Sequence, residues 1–222
     1  MVHVYYHIYA IEGVEPIINE QLNLIKTHFD FPYVLNIGIS IAKENKSISN
    51  IFDIIDKSNI RDIRAKGHEF VTLDLIEKDK KKFGDNDYIL YIHTKGASKL
   101  DDKDYSNIKT WRELMNYFNI EKCKNALKIF EKSEYNTYGV LLGNAGKWKL
   151  YSGNFWWAKA SYLKTINIDE SELKTRFDAE CKYIQMGINW KPYSAYTNPG
   201  DYLGSYKINH YKIKFKRKEY AK

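Results

Sequence analysis

The chain predicts an α/β fold with a mainly parallel central sheet flanked by helices, and three observations predict it. Short β-branched and aromatic runs alternate with stretches of helical apolar spacing, in the order β-α-β-α-β-α-β as far as Ile92. That alternation is the mark of parallel strands joined by crossover helices. One run, Tyr88-Ile89-Leu90-Tyr91-Ile92, is apolar without a break and follows the turn residues Gly84-Asp85-Asn86-Asp87. It reads as a strand buried on both faces. The 222 residues are 44% hydrophobic, enough for one sizeable core, so a single domain over 1–222 is expected.

Val2–Ala10 is the first strand, and Glu12-Gly13 turns the chain. Pro16 suits a helix's first turn, and Ile18, Leu22 and Ile25 give it one apolar stripe. Tyr33–Ile39 is the second strand, after Phe31-Pro32. Ser47 can cap a helix with the stripe Ile48, Ile51, Phe52 and Ile55. Ile60–Ala65 is a weak third strand, and Gly67-His68-Glu69 starts a helix running from Phe70 towards Lys82. After the central strand the character changes. Lys99–Asp104 is a polar loop; Trp111, Leu114, Met115 and Phe118 form one helical stripe, and Cys123, Ala126, Leu127 and Phe130 a second. Tyr138–Leu142 and Ser152–Ala158 read as strands with a loop over Gly143–Leu150 between them. Leu173, Phe177, Cys181 and Ile184 mark a last helix stopped by Gly187; strands over Trp190–Tyr196 and Ile208–Phe215 and a basic end complete a mixed C-terminal part.

The formal charge of +7 suits a phosphate-bearing ligand, an anionic membrane surface or a nucleic acid. The 19 Tyr and 5 Trp suit flat ligands with polar rims, although a bias toward Lys, Asn, Ile and Tyr in the coding sequence also accounts for many of them. Cys123 and Cys181 fall on apolar helix faces, as buried thiols of a reducing compartment would. No apolar run approaches the ~18 residues of a membrane helix, and the first residues lack the pattern of a signal peptide, so a cytoplasmic location is expected. Histidine and cysteine spacings make no metal finger. The nucleophile-elbow, phosphate-loop and dinucleotide-binding glycine motifs are missing, which argues against hydrolase, P-loop and dehydrogenase classes.

Four segments carry chemistry. His93-Thr94-Lys95-Gly96 ends the central strand, where open α/β sheets bind ligands. Lys95 could neutralise a diphosphate, Thr94 and the Gly96 N–H could donate to its oxygens, and His93 could donate as well or ligate a metal. A solvated strand end is the alternative. Gly67-His68-Glu69 lies ahead of a helix, where backbone approaches closely and anions are favoured, or Glu69 merely offsets the helix dipole. Within Ser152–Trp157, strand alternation puts Phe155 and Trp157 on one face and Asn154 and Trp156 on the other. One set belongs to the core; the other could line a pocket, Asn154 bonding hydroxyls and Trp156 stacking on a sugar. In Arg176–Glu180, Glu180 sits at the margin of the apolar face, where partial burial suits a general base; a surface ion pair with Arg176 is the alternative. Asp101, Asp102 and Asp104 could give metal oxygens or form a solvated loop.

The ordered series His93-Thr94-Lys95-Gly96, Trp111-Arg112-Glu113-Leu114, Tyr138-Gly139-Val140-Leu141 and Ser152–Ala158 resembles the glycosyltransferases of the rhamnan synthesis protein F type and related viral and bacterial enzymes with the GT-A fold. The resemblance covers roughly Tyr5 to Gly187. It implies a GT-A-like domain with a nucleotide-binding half (1–98) and an acceptor half (99–222). The implied reaction moves a sugar from a UDP-, GDP- or dTDP-linked donor to a hydroxyl on a glycan by direct displacement. Glu180 or Asp178 would be the base, and Lys95 would meet the leaving diphosphate. Tyr9, Ala10, Gly67, His68, Glu69, His93, Thr94, Lys95 and Gly96 would bind the donor; Asn154, Trp156 and Trp157 would bind the acceptor. Many such enzymes carry an Asp-x-Asp pair where this chain has His93-Thr94-Lys95, which leaves dependence on Mn²⁺ or Mg²⁺ open. The competing class is a non-catalytic basic and aromatic module for glycan or single-stranded nucleic acid, based on Lys78–Lys82 and Lys214–Lys218. Those runs lack interleaved aromatics, so a nucleic-acid partner is not expected, while the tail could touch an anionic membrane.

Overall fold

β1 (Val2–Ala10) is buried along most of its length because nearly every residue in it is apolar or aromatic. The computed structural model describes residues 1–43, 48–145, 148–167, 175–197 and 215–220. The Ser47 cap, Leu173, Gly146 and residues 208–214 of the expected strand lie outside the described residues, as do the side chains of Phe177 and Cys181. β1 pairs in parallel with β2 (Tyr33–Ile41) on one side and β4 (Tyr88–His93) on the other. β3 (Ile60–Arg64) joins β2, also in parallel. The other strands are β5 (Thr137–Gly139), β6 (Leu142–Ala145), β7 (Trp148–Tyr151), β8 (Trp156–Lys159) and β9 (Pro192–Ser194). The main sheet has seven strands in the order β3-β2-β1-β4-β8-β5-β9, with β8 antiparallel to both neighbours and β9 parallel to β5. A mostly parallel α/β sheet with a mixed C-terminal edge is therefore observed.

Strand periodicity divides the core between the two faces. Val4, Tyr6 and Ile8 of β1 and Leu90 and Ile92 of β4 face α1 (Glu15–His28), α4 (Tyr105–Asn116) and α5 (Cys123–Lys132). Tyr5 of β1 and Ile89 and Tyr91 of β4 face α3 (Phe70–Asp79), α6 (Ala160–Leu163) and α7 (Arg176–Cys181). The approach on this second face is close: a Cβ on Gly38 of β2 would stand 2.3 Å from Thr72 Oγ1. Between β2 and β3 the expected helix is one turn, α2 (Ser49–Phe52), and α4 passes into α5 through a π turn at Tyr117–Glu121. The last helix, α8 (Arg217–Tyr220), docks its Tyr220 ring on Phe118, Tyr196 and Phe215. Among the described residues no helix is long and apolar enough to cross a membrane.

Three expectations change in the C-terminal half. The stretch Gly143–Leu150 is not a loop: Leu142–Ala145 and Trp148–Tyr151 pair as an antiparallel hairpin. Gly143 and Asn144, residues depleted in strands, hide β6, although Trp148–Tyr151 has strand character. The strand predicted over Ser152–Ala158 begins only at Trp156. Gly153 (φ 93°) and Asn154 (φ 57°) are left-handed and make a turn instead. A Cβ on Gly153 would stand 2.3 Å from Met115 Sδ, so glycine is required there. Likewise Leu141 (φ 52°) ends the strand predicted over Tyr138–Leu142 and sends the chain into the hairpin.

Candidate functional site

The chain runs from β1 outward through β2 to β3, then returns to place β4 on the other side of β1. The connections thus diverge between β1 and β4, and a crevice opens at the carboxyl ends of this strand pair. A cleft of about 250 Å³ lies there. Beyond His93 the chain keeps hold of β1, since the Thr94 N–H donates to the His7 carbonyl (3.0 Å) and the Tyr9 N–H to Thr94 Oγ1 (2.9 Å). Gly96 then turns with φ 91°, and a Cβ on it would stand 2.8 Å from Ile108 Cγ2.

A buried polar network fixes this loop from below. Arg112 Nη1 donates to the Lys95 carbonyl (3.0 Å), and Gln21 Nε2 to the His93 carbonyl (3.1 Å) and Asn116 Oδ1 (3.2 Å). Tyr6 donates to Gln21 Oε1, while Arg112 and Asn116 both donate to Glu20. Arg112 and Asn116 are four apart on α4, and Glu20 and Gln21 are adjacent on α1, so two helices close on one strand end. The buried guanidinium has a carboxylate partner and a carbonyl acceptor; removal of either charged partner would strand a charge.

Three walls define the cleft. His7, Tyr9 and His93 form the strand floor, His68 and Glu69 the α3 side, and Ile108 and Trp111 the α4 side. Lys95 is only 9% exposed, and its Nζ stands 4.1 Å from the centre of the Trp111 ring. That cation–π contact offsets part of the ammonium's lost hydration. On the other wall Glu69 is buried; its Oε2 accepts from the Tyr91 hydroxyl (3.0 Å) and the Asn154 amide (2.5 Å). Glu69 Oε1 lies 4.0 Å from His93 Nδ1, and His93 Nε2 donates to the Gly153 carbonyl (2.8 Å). His7 sits beside His93 in register, bonded to Thr72 Oγ1 (3.0 Å) and Ser40 Oγ (3.1 Å).

Of the residues expected on the donor side, Tyr9, His68, Glu69, His93, Thr94, Lys95 and Gly96 line the cleft. Ala10 is fully buried in the core instead, and Gly67 (φ 127°) is the hinge that turns His68 and Glu69 towards the cleft without lining it. Glu69 stands at the N-cap of α3, as a helix-start residue, but its side chain makes no cap bond to the helix. The acceptor-side expectation is corrected for both tryptophans. Trp156 is sandwiched between Tyr91 and Tyr183, and Trp157 donates to the Asn119 carbonyl on the opposite face. Both are fully buried, so neither ring offers a face to a sugar. Asn154 is buried too, its oxygen accepting from Trp156 Nε1 and its amide donating to Glu69.

The acidic pair of α7, expected to supply the base, does not line this cleft. Asp178 Oδ2 accepts from the Thr175 N–H and hydroxyl (both 2.7 Å) in a capping box, and Oδ1 pairs with Lys182 (2.5 Å). Its oxygens are used locally. Glu180 is half-buried and does not line the cleft. In the loop after β4, Asp102 accepts from the Asp104 N–H and pairs with Lys99, which hold its carboxyl below the usual range. Among the described residues no group of three His, Cys, Asp or Glu comes together as a metal site.

Sequence reasoning missed His7, which says nothing alone and gains meaning from its register with His93. It also took Trp111 for a core position and gave Arg112 no task. No sequence signal marks Arg112 as buried, since a cation beside an apolar stripe is ordinary in an amphipathic helix.

A solved structure of 4-diphosphocytidyl-2C-methyl-D-erythritol synthase is similar over 76% of this chain and 80% of its own, at 11% identity and a TM-score of 0.37. No curated protein sequence matches the chain. A family model matches residues 5–209, and the chain belongs to that family, described as a domain of unknown function, DUF8361.

Proposed function

We propose that the chain is a glycosyltransferase that moves a sugar from a UDP-, GDP- or dTDP-linked donor to a hydroxyl on a glycan acceptor. The observation that supports this most is Lys95, a buried ammonium at the β1/β4 switch point, with Thr94 beside it in the cleft. An anion with several oxygens suits that set. Trp111 and Ile108 offer an apolar wall to the rest of a nucleotide, and Glu69 with His93 brings polar groups to the other wall. Direct displacement at the anomeric carbon would leave the negative charge on the diphosphate, where Lys95 stabilises it best.

The basic-module reading gains less. Within Lys78–Lys82, Lys80 pairs with Glu77 and Lys82 with Asp79. In the tail, Arg217 pairs with Glu121 and Lys216 with Glu219. Charges already paired add little to a nucleic-acid or membrane surface.

The test is a melting and donor-hydrolysis panel with UDP-, GDP- and dTDP-sugars, each in Mn²⁺, Mg²⁺ or EDTA. A donor-specific rise in Tm with hydrolysis is expected, and the EDTA arm reads metal dependence. Exchange of Lys95 for Met is expected to lower kcat by about 10²-fold with a small change in Tm. Unchanged turnover would remove Lys95 from the chemistry, and silence towards all donors would remove the transferase reading.

A further inference from the structure

Glu69 divides its two carboxylate oxygens between the core and the cleft. The side chain is buried, yet the residue lines the cleft. Oε2 accepts from the Tyr91 hydroxyl and the Asn154 amide, and neither of those residues lines the cleft. Oε1 accepts no hydrogen bond among the described residues, and His93 Nδ1, at 4.0 Å, lies outside hydrogen-bond range. Two donors on one oxygen hold the plane of the carboxylate, so Oε1 keeps its direction without a bond of its own. A ligand that fills the cleft expels its water. Oε1 must then meet a donor on the ligand or stand buried and unsatisfied, which is costly for a charged group.

We infer that Glu69 is the residue that selects the transferred sugar, with one sugar hydroxyl donating its single hydrogen to Oε1. This assignment rests on the sugar-transfer reading and adds to it the part of the donor that each wall holds. A carboxylate repels a diphosphate, which goes instead to Lys95, packed on the Trp111 ring. Trp111 and Ile108 come from α4 on one face of the sheet, and Glu69 comes from the start of α3 on the other. In a nucleotide sugar the nucleoside and the sugar leave the diphosphate in opposite directions. With the nucleoside on the apolar Trp111 wall, the sugar falls to the Glu69 wall. A sugar without a hydroxyl at the matching position buries Oε1 without a donor. Sites built to bond a hydroxyl reject such analogues strongly.

Glu69→Gln tests this through the chemistry of the amide. Tyr91 and Asn154 both donate to the Oε2 position, so glutamine turns its carbonyl oxygen there and its NH₂ to the Oε1 position. The acceptor in the cleft becomes a donor while the buried bonds remain.

Isothermal titration of the wild type and Glu69→Gln compares UDP-glucose, GDP-mannose and dTDP-glucose with UDP, GDP and dTDP. For the donor that binds, Glu69→Gln is expected to weaken the nucleotide sugar about 30-fold and the matching diphosphate within about twofold. The unchanged diphosphate also shows that the variant is folded. Deoxyfluoro analogues of that sugar then find the hydroxyl, because fluorine cannot donate. One position is expected to cost the wild type about 30-fold and Glu69→Gln about threefold or less. Equal weakening of diphosphate and nucleotide sugar would place Glu69 on the ribose or the phosphates and overturn the assignment. Wild-type binding indifferent to fluorine at every position overturns it too. Both results leave the transfer reading standing, whereas a wild type that binds no nucleotide sugar removes that reading and this one with it.

Discussion

Two acids stand at the starts of two helices, Glu69 ahead of α3 and Asp178 in the first turn of α7, and the fold uses them in opposite ways. Asp178 closes on its own helix: Thr175, three residues before it, exchanges hydrogen bonds with it in a capping box. Glu69 caps nothing and turns its carboxylate into the cleft, onto Tyr91 and Asn154. The residues just upstream make the difference. A threonine in extended conformation (φ −120°, ψ 157°) sets up the reciprocal bonds at α7. Before α3, Gly67 (φ 127°) and His68 (φ 45°) are left-handed and swing the chain out of capping geometry. An acid at a helix start is thus structural or available for chemistry according to its neighbours, not its own type.

The largest expected effect separates the two by activity. Glu69→Gln is expected to lower donor turnover by about 10²-fold, while Asp178→Asn leaves turnover within about threefold. Equal losses in both would erase the distinction. Next comes the turn that carries the Gly153 carbonyl to His93. Gly153→Ala places a Cβ against Met115 Sδ in a left-handed backbone, and about 2 kcal/mol of unfolding free energy is expected to be lost in a urea titration. An unchanged midpoint would mean that the turn, and the His93 contact built on it, adapts easily. Asp178→Asn belongs below it: one cap weakened on a six-residue helix is worth about 1 kcal/mol by the same measurement.

The N-terminal half was legible because its signals were local and strong. β1, β2 and β4 announce themselves by apolar runs and β3 only weakly, and Gly96, His93 and Lys95 follow from the break at the end of one run. The C-terminal half was less so. β5, β8 and β9 are three or four residues long, and their ends are set by left-handed residues at Leu141, Gly153 and Asn154 whose sequence signal is weak. The tryptophans of β8 carried a sugar-binding reading by type alone; their burial depends on Tyr91 and Tyr183, distant in sequence. Arg112 is a similar case, since its acceptors on Lys95 and Glu20 exist only after α1, α4 and β4 meet. The motif order led to an expectation of the rhamnan synthesis type, whereas the family whose model matches is one of unknown function.

The smallest effect sharpens the comparison at the other end of α3. Asp79 closes that helix where Glu69 opens it, and it too is buried. Burial pushes its carboxyl up, but hydrogen bonds from Lys82 and Tyr5 and the charge of Arg61 outweigh this and hold it below its ordinary 3.8. The folded state therefore binds the proton more weakly than the unfolded chain does. Stability from this group is fully present above about pH 5 and is lost as pH falls through 3.8 and then through the lower folded value. Urea midpoints of the wild type and Asp79→Asn at pH 6, 4 and 3 isolate it, because the other depressed acids, Asp87 among them, are common to both proteins. The gap between the two midpoints is expected to be widest at pH 6 and to narrow at each step down. A constant gap would mean that Asp79 acts by shape and hydrogen bonding alone. The two ends of α3 would then differ in contacts rather than in charge.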